Sequence, residues 1–487
     1  MIGVQVTAYK NYIDGQWVDS SDGNVFHSMN PADREDIVGC FQASTAEDAI
    51  RAIRAAEKTF PAWAKTSPSK RAAILNQAAD ILESRCEEIA HELTREEGKV
   101  LSASRLEVKR SAATLRYYAV EGLSFSGETF ANDDPASMVF TVREPLGVIA
   151  VITPWNFPLS IPARKIAPAL MTGNTVVFKP ASETPLMGLR LTEALADAGI
   201  PAGVFNFITG SAAKVGTPLV TDAAIRGITF TGSTQAGEAI HRQVSLTTRM
   251  QMELGGKNPI LVMEDADLDK AVELTIKGGF ELTGQACTGT SRVIVMRNVH
   301  DEFVAKLVDQ TSRLKIGNGF AEGVQVGPLA NQSQLDTVLE YVAIGREEGA
   351  NLVYGGDRLT ENEYGKGYYV KPAIFTGVAS HMRIAQEEIF GPVIAVIAVD
   401  SFNDALQVAN GVAYGLSASI VTKDLEKAQT FVKEIQSGTV KVNRTTTGNL
   451  MHAPFGGLKK SSTSTFRESG RVGLEFFTQT KTVYFGY

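Results

Sequence analysis

At 487 residues, with 44% hydrophobic and 21% charged side chains, the chain has globular composition and more length than one core usually organises, so two or three domains are expected. Its formal net charge of −7 leaves no basic excess to neutralise phosphates, which argues against a nucleic-acid partner. No run reaches the ~18 apolar residues of a membrane helix, and residues 1–10 lack the basic start and apolar core of a secretory leader.

The first helix signal is Thr45 with Asp48 three places on, a capping box, followed by Ala49, Ile50, Ile53 and Ala56 at helical spacing. The spacing predicts a second helix over 70–97, stopped by Gly98. Residues 125–143 lose periodicity and finish in a strand at 137–142, an excursion from the first domain. From Gly147 the pattern alternates, with apolar strands at 148–152, 175–178, 205–208 and 227–230. Between them lie helical stretches such as 186–198, closed by Gly199 and Pro201. Short apolar strands separated by helices are βαβ units, hence a parallel sheet covered on both faces. Right-handed crossovers then gather the loops at the strand carboxyl ends along one edge, where ligands bind. A second series has strands at 260–263, 293–296, 393–399 and 418–421, with helices at 268–278, 301–314 and 425–436. The tail, 476–487, is β-prone and suited to pairing with the excursion.

Three cysteines, Cys40, Cys86 and Cys287, form no CxxC pair. That pattern fits a reducing, cytoplasmic setting and gives neither a disulfide framework nor a metal site. Cys287 stands in Gly284-Gln-Ala-Cys287-Thr, a loop context, although a buried inert thiol is the ordinary alternative. The usual proton-handling partner is histidine, but none of the six lies in the motif segments, which makes a papain-like hydrolase unattractive. Glu253, in Glu253-Leu-Gly-Gly-Lys257, is the carboxylate candidate, because a partly dry carboxyl suits a general base. Thr153-Pro154-Trp155-Asn156-Phe-Pro158 follows a strand and holds a rigid amide donor, the kind of group that stabilises an oxyanion. Lys179 ends another strand and precedes Ser182. Gly232-Ser233 opens a helix whose first N–H groups favour an anion. Each fragment alone also reads as a plain loop, and the dinucleotide fingerprint G-x-G-x-x-G is absent.

Together with Glu388-Ile-Phe390-Gly-Pro392 and Pro454-Phe-Gly-Gly457, these segments occur in the order and spacing of the aldehyde dehydrogenase superfamily. The chain resembles that family from Tyr12-Ile-Asp-Gly-Gln-Trp17 to Lys481-Thr-Val-Tyr484. The resemblance implies an α/β fold of two parallel-sheet domains and a small β element. The cofactor domain would take 1–121 and 145–255, the catalytic domain 256–459, and the oligomerisation element 122–144 and 460–487. It implies NAD or NADP as cofactor, no resident metal, and a homodimer or homotetramer. Cys287 would be the nucleophile and Glu253 the general base, with Asn156 and the Cys287 N–H as the oxyanion hole. Lys179 and Glu388 would hold the two riboses, with Thr153, Pro154, Trp155, Ser182 and Gly232 also at the cofactor. Ser233 would sit at the pyrophosphate and Phe390 at the nicotinamide.

An acidic residue three places after the lysine repels a 2′-phosphate in relatives that require NAD. Ser182 stands there, so NADP is expected to be accepted. The whole sequence resembles bacterial 2-oxoglutarate semialdehyde and succinate semialdehyde dehydrogenases. In these an arginine eight places after the asparagine binds a substrate carboxylate, and Arg164 holds that place. A second arginine, six before the cysteine, is replaced by Glu281, which would repel a carboxylate or pair with Arg164; Arg444 is a candidate to compensate. The expected substrate is an acid semialdehyde, with a neutral aliphatic or aromatic aldehyde as the alternative. An intact Cys287, Glu253 and Asn156 set weighs against a catalytically silent structural homologue. A hydrolytic base weighs against acyl transfer to coenzyme A.

Overall fold

The computed structural model describes residues 7–486, so most of the leader reading at residues 1–10, and Tyr487 of the tail, lie outside the described residues. Two seven-stranded sheets organise it. The first runs in the order Arg249–Glu253, Ile225–Thr231, Val148–Ile152, Thr175–Lys179, Phe205–Phe207, Asn11–Ile13, Gln16–Val18. Its first five strands are parallel, and the last two form a hairpin added antiparallel at the edge. That hairpin turns on Asp14 and Gly15, both with positive φ, the conformation a tight two-residue β-turn requires. Ile149, Val151, Val176 and Phe178 pack on one face of this sheet, and Val148, Ala150 and Val177 pack on the other. The period-2 alternation is thus apolar on both sides, which explains the continuous apolar runs.

The second sheet runs Asn351–Tyr354, Ala373–Thr376, Val393–Val399, Thr290–Met296, Asn258–Val262, Ser417–Val421, Thr439–Val442. Only Asn351–Tyr354 is antiparallel. A three-stranded sheet pairs the tail strand Thr478–Gly486 with Ser137–Pro145, which also pairs Thr129–Phe130, as the β-prone tail suggested.

The capping box at Thr45 and Asp48 forms as expected and opens the helix Ala46–Ala64. The helix expected over 70–97 is two, Pro68–Ser84 and Cys86–Glu97, broken where Arg85 leaves the helical region (φ −101°, ψ 17°). Buried positions continue on both sides of that break, so periodicity alone does not reveal it. Gly98 ends the second helix in the left-handed conformation (φ 94°). Further elements had no clear pattern in the sequence. The helix Leu101–Glu121 buries Ser104, Glu107, Ser111 and Thr114, and the strand Arg249–Glu253 has polar residues at three of its five positions.

This topology sets the loops after Ile152, Lys179, Thr231 and Glu253 along one edge of the first sheet. The chain passes from there directly into the second sheet through residues 254–257.

Candidate active site

Cys287 lies on a loop between the short turn Glu281–Gly284 and the strand Thr290–Met296. That turn is tight: Leu282, Thr283 and Gly284 all have positive φ, and the two non-glycine residues there carry strain. Cys287 is half-buried, and Cys40 and Cys86, which lie elsewhere in the chain, are likewise unpaired.

Hydrogen bonds from two asparagines hold the loop in place. Asn156, buried just past the strand Val148–Ile152, donates its side-chain amide to the carbonyl of Gln285 at 2.9 Å. Asn258 donates to the carbonyls of Cys287 at 2.8 Å and Gly289 at 2.9 Å. Gly256 must be glycine here, because a Cβ on it would lie 2.5 Å from the Cys287 carbonyl oxygen. The thiol therefore sits where the loop after Ile152 and the loop after Glu253 meet. Burial pushes it up to about 12, with the charges of Glu388, Glu253 and Glu468 adding to the effect and Arg164 opposing it. At neutral pH it is a thiol, and attack requires a group to take its proton.

Glu253 is the last residue of a buried strand rather than a solvated turn residue before two glycines. Among the described residues neither carboxylate oxygen has a hydrogen-bond partner of good geometry, although the Gly457 backbone N–H acts to lower its pKa. Burial raises its pKa well above the usual carboxylate range, with Glu468 adding to that and Lys165 and Arg467 opposing it. Lys165 and Glu468 are a buried ion pair, and Lys165 also donates to Thr229 Oγ1 at 2.9 Å. Nothing local in the sequence links them: Lys165 is one of two adjacent basic residues in an otherwise mostly apolar helix, and Glu468 lies 303 positions away. Only the fold brings this pair to Glu253.

Glu388 accepts the Gly256 N–H at 2.9 Å and is pushed up to about 7, chiefly by burial. Two places on, Phe390 has φ 58° and meets Trp155 edge-to-face at 5.4 Å. Gln334 holds that backbone by donating to the carbonyls of Ile389 and Phe390. Trp155, from the loop after Ile152, thus meets the segment that carries Glu388 and Phe390. Lys179 is buried at its strand end with Nζ on the Pro180 carbonyl at 2.8 Å, and burial lowers it to about 8. Ser182 donates to the Gly210 carbonyl at 3.3 Å. Gly232 N–H donates to the Glu253 carbonyl, and Ser233 caps the helix Thr234–His241 through Ala236 N–H.

A dinucleotide fits this edge of the first sheet on the chain's own features. Thr153 and Thr231, at two adjacent strand ends, carry buried hydroxyls with no hydrogen-bond partner among the described residues. A helix N-terminus and a buried lysine stand beside them, suited to phosphate and ribose oxygens.

Among the substrate candidates, Arg164 lies 3.6 Å from Glu468 and over the Phe455 ring. Of the two possibilities for Glu281, pairing with Arg164 is not what forms, because the carboxylate that Arg164 reaches is Glu468's. Glu281 and Arg444 are both exposed. The Arg444 loop nevertheless borders the thiol loop, since Thr446 bonds Thr290 at 2.8 Å.

The sequence profile of the aldehyde dehydrogenase family matches residues 17–483. The chain is 47% identical to an alpha-ketoglutaric semialdehyde dehydrogenase of Bacillus subtilis, over 98% of each chain. It is 43% identical to a 2,5-dioxopentanoate dehydrogenase of Saccharolobus solfataricus, over 99% of this chain and 100% of that one. A betaine aldehyde dehydrogenase from Staphylococcus aureus, solved in complex with NAD+, superposes with a TM-score of 0.95 at 34% identity. That match covers 98% of this chain and 94% of the other.

Proposed function

The chain belongs to the aldehyde dehydrogenase family, and on that premise we propose that it oxidises an acid semialdehyde to the acid through a thioester on Cys287. It is an NAD(P)-dependent aldehyde dehydrogenase. The observation that carries the mechanistic reading is the convergence of a half-buried cysteine, a buried carboxyl without a well-placed hydrogen-bond partner and a rigid carboxamide on one loop cluster.

Cys287 attacks the aldehyde carbon once its proton is taken, and Glu253, whose pKa is raised, is the nearby acceptor with free oxygens. The oxyanion so formed is met by the Cys287 N–H and by the Asn156 carboxamide, which has a second N–H beyond the one given to Gln285. One such donor contributes ~2.7 to 4 kcal/mol. Held at the edge of the first sheet, a nicotinamide would supply the hydride acceptor, and the carbon on the Cys287 sulfur would thereby become a thioester. Glu253, its first proton passed to solvent, then takes a proton from water, whose oxygen attacks the thioester carbon; the acid leaves and that proton returns to the Cys287 sulfur. Lys165 and Glu468 hold the charge balance around that carboxyl. For the cofactor, Lys179 and Glu388 would take the riboses and Ser233 the pyrophosphate. Ser182 and Gly232 would border it, and Thr153, Pro154, Trp155 and Phe390 would flank the nicotinamide.

Arg164 is the charge available for a substrate carboxylate, and two relatives bear names for five-carbon oxo-acid aldehydes. A second reading, a neutral aldehyde, is favoured by one observation: Arg164 already faces Glu468, while Glu281 adds an exposed acid near the thiol loop. The domain division at 1–121 with 145–255, 256–459, and 122–144 with 460–487 belongs to the same reading. In it the three-stranded sheet, which exposes Phe130, Met138 and Tyr484, joins copies into a dimer or tetramer in the cytoplasm.

The test is absorbance at 340 nm with NAD and NADP across a panel of semialdehydes and neutral aldehydes. Wild type is compared with Cys287→Ser and Asn156→Ala. Signal absent in Cys287→Ser and lowered ~10²- to 10³-fold in Asn156→Ala is expected. A neutral aldehyde with much the higher kcat/KM replaces the semialdehyde by the second reading.

A further inference from the structure

On either side of Gly98 the chain buries three charged side chains, Glu97, Lys99 and Glu107, almost completely. They lie at the start of the helix Leu101–Glu121 and beneath the Asn156 loop. Lys99 Nζ donates to the backbone carbonyl of Asn156 at 2.6 Å and to Glu107 Oε2 at 2.7 Å. It also stands 3.8 Å from Glu97 and 4.6 Å over the face of the Phe157 ring. The other carboxylate oxygen of Glu107 accepts the N–H groups of Leu159 at 3.0 Å and Ser160 at 3.1 Å. One ion pair therefore holds both ends of the turn. Its cation grips the Asn156 carbonyl, and its anion caps the first amides of the helix Ser160–Met171.

A buried ion pair is weak ground for stability, because desolvation offsets its attraction. What this pair does supply is fixed geometry. The Asn156 backbone is held from one side while its carboxamide reaches the Gln285 carbonyl on the other. Displacing such a donor by about 1 Å costs on the order of 10²-fold in rate.

We propose that Lys99 and Glu107 are positioning residues for the reaction, clamping the Asn156 backbone so that its carboxamide stays aimed at the Cys287 loop. The inference rests on Asn156 being the oxyanion donor.

The test is a set of double-mutant cycles on the full-length enzyme with Lys99→Met, Glu107→Gln and Asn156→Ala. Each variant is measured for kcat, both KM values and thermal midpoint. Lys99→Met is expected to lower kcat about 10- to 100-fold with the KM for NAD nearly unchanged. In the Asn156→Ala background the same change should lower kcat less than about 3-fold further, because the two act as one unit. Additive losses overturn the clamp while leaving Asn156 its role, and so does wild-type kcat in Lys99→Met. Full activity in Asn156→Ala overturns the oxyanion reading itself, with no clamp variant involved. If Lys99→Met does not fold, Glu107→Gln, which keeps shape and an acceptor oxygen, takes its place in the cycle. A non-additive loss of kcat in that variant then supports the clamp, and an additive loss or wild-type kcat overturns it.

Discussion

The carboxamide of Asn258 holds the carbonyl of Cys287 at 2.8 Å, so the first strand of the second sheet along the chain fixes the backbone of the Cys287 loop. The same side chain donates to Gly289 and accepts the N–H of Ser417, each about one ordinary hydrogen bond long. Asn258→Ala leaves these buried groups without partners, at about 1–3 kcal/mol for each group left unsatisfied. We expect a lowered thermal midpoint together with a fall in kcat. An unchanged midpoint would show that water replaces the side chain.

The raised pKa of Glu253 has a definite sign in activity. Burial is the first cause and the charge of Glu468 the second, so the carboxyl takes up its proton at a higher pH than a free glutamate does. The acid limb of kcat should therefore lie on the alkaline side of the usual carboxylate range, and activity should fall as pH drops through it. Glu253→Gln should abolish that limb and cut turnover ~10²- to 10⁴-fold. A burst of up to about one reduced cofactor per site should remain but be slowed, because the same carboxylate takes the Cys287 proton before the thioester forms and stalls. Steady turnover without a burst speaks against Glu253 as the base for water.

For Cys287 the sign is also upward, to about 12, with burial as the leading cause. Without cofactor the thiol should be protonated at pH 7 to 9, and its alkylation by iodoacetamide should climb across that range without levelling. Active-site labelling can be followed by mass, with Cys40 and Cys86 as internal references. A plateau below pH 8 would mean a thiolate already stabilised in the free enzyme.

Arg164 should separate substrate classes. Removing it in Arg164→Met should lower kcat/KM for acid semialdehydes at least about 10-fold, the scale of a hydrogen bond to a charged group. Neutral aldehydes should change less than about 3-fold. Equal losses for both classes would assign Arg164 to its ion pair with Glu468 instead of to substrate.

Cofactor choice follows from Ser182 and Lys179. With no acid at Ser182, turnover with NADP should approach that with NAD. Burial lowers Lys179 to about 8, so its ammonium is present below that pH and is lost above it. The KM for either cofactor should rise between pH 7 and 9, and Lys179→Met should remove the trend. Rejection of NADP at every pH would place the discriminating group elsewhere.

Much of this protein was legible in one dimension because the governing signals are local. Apolar runs with period 2 marked Val148–Ile152 and Val393–Val399 to the residue, since both faces of a parallel sheet are dry. Thr45 and Asp48 announced a helix start because a capping box closes within four residues. Cys287, Glu253, Asn156, Lys179 and Glu388 were found as members of an ordered set, each too weak alone. What only the tertiary structure decided are the contacts whose partners are distant in the chain. The Lys165–Glu468 pair beside Glu253 and the Lys99–Glu107 grip on the Asn156 turn involve charges that a sequence assigns to solvent. Their burial becomes favourable only when a partner from another element neutralises them, and no local spacing encodes that meeting. The pairing of Arg164 with Glu468 rather than Glu281 was settled the same way, by which carboxylate the fold delivers to the guanidinium.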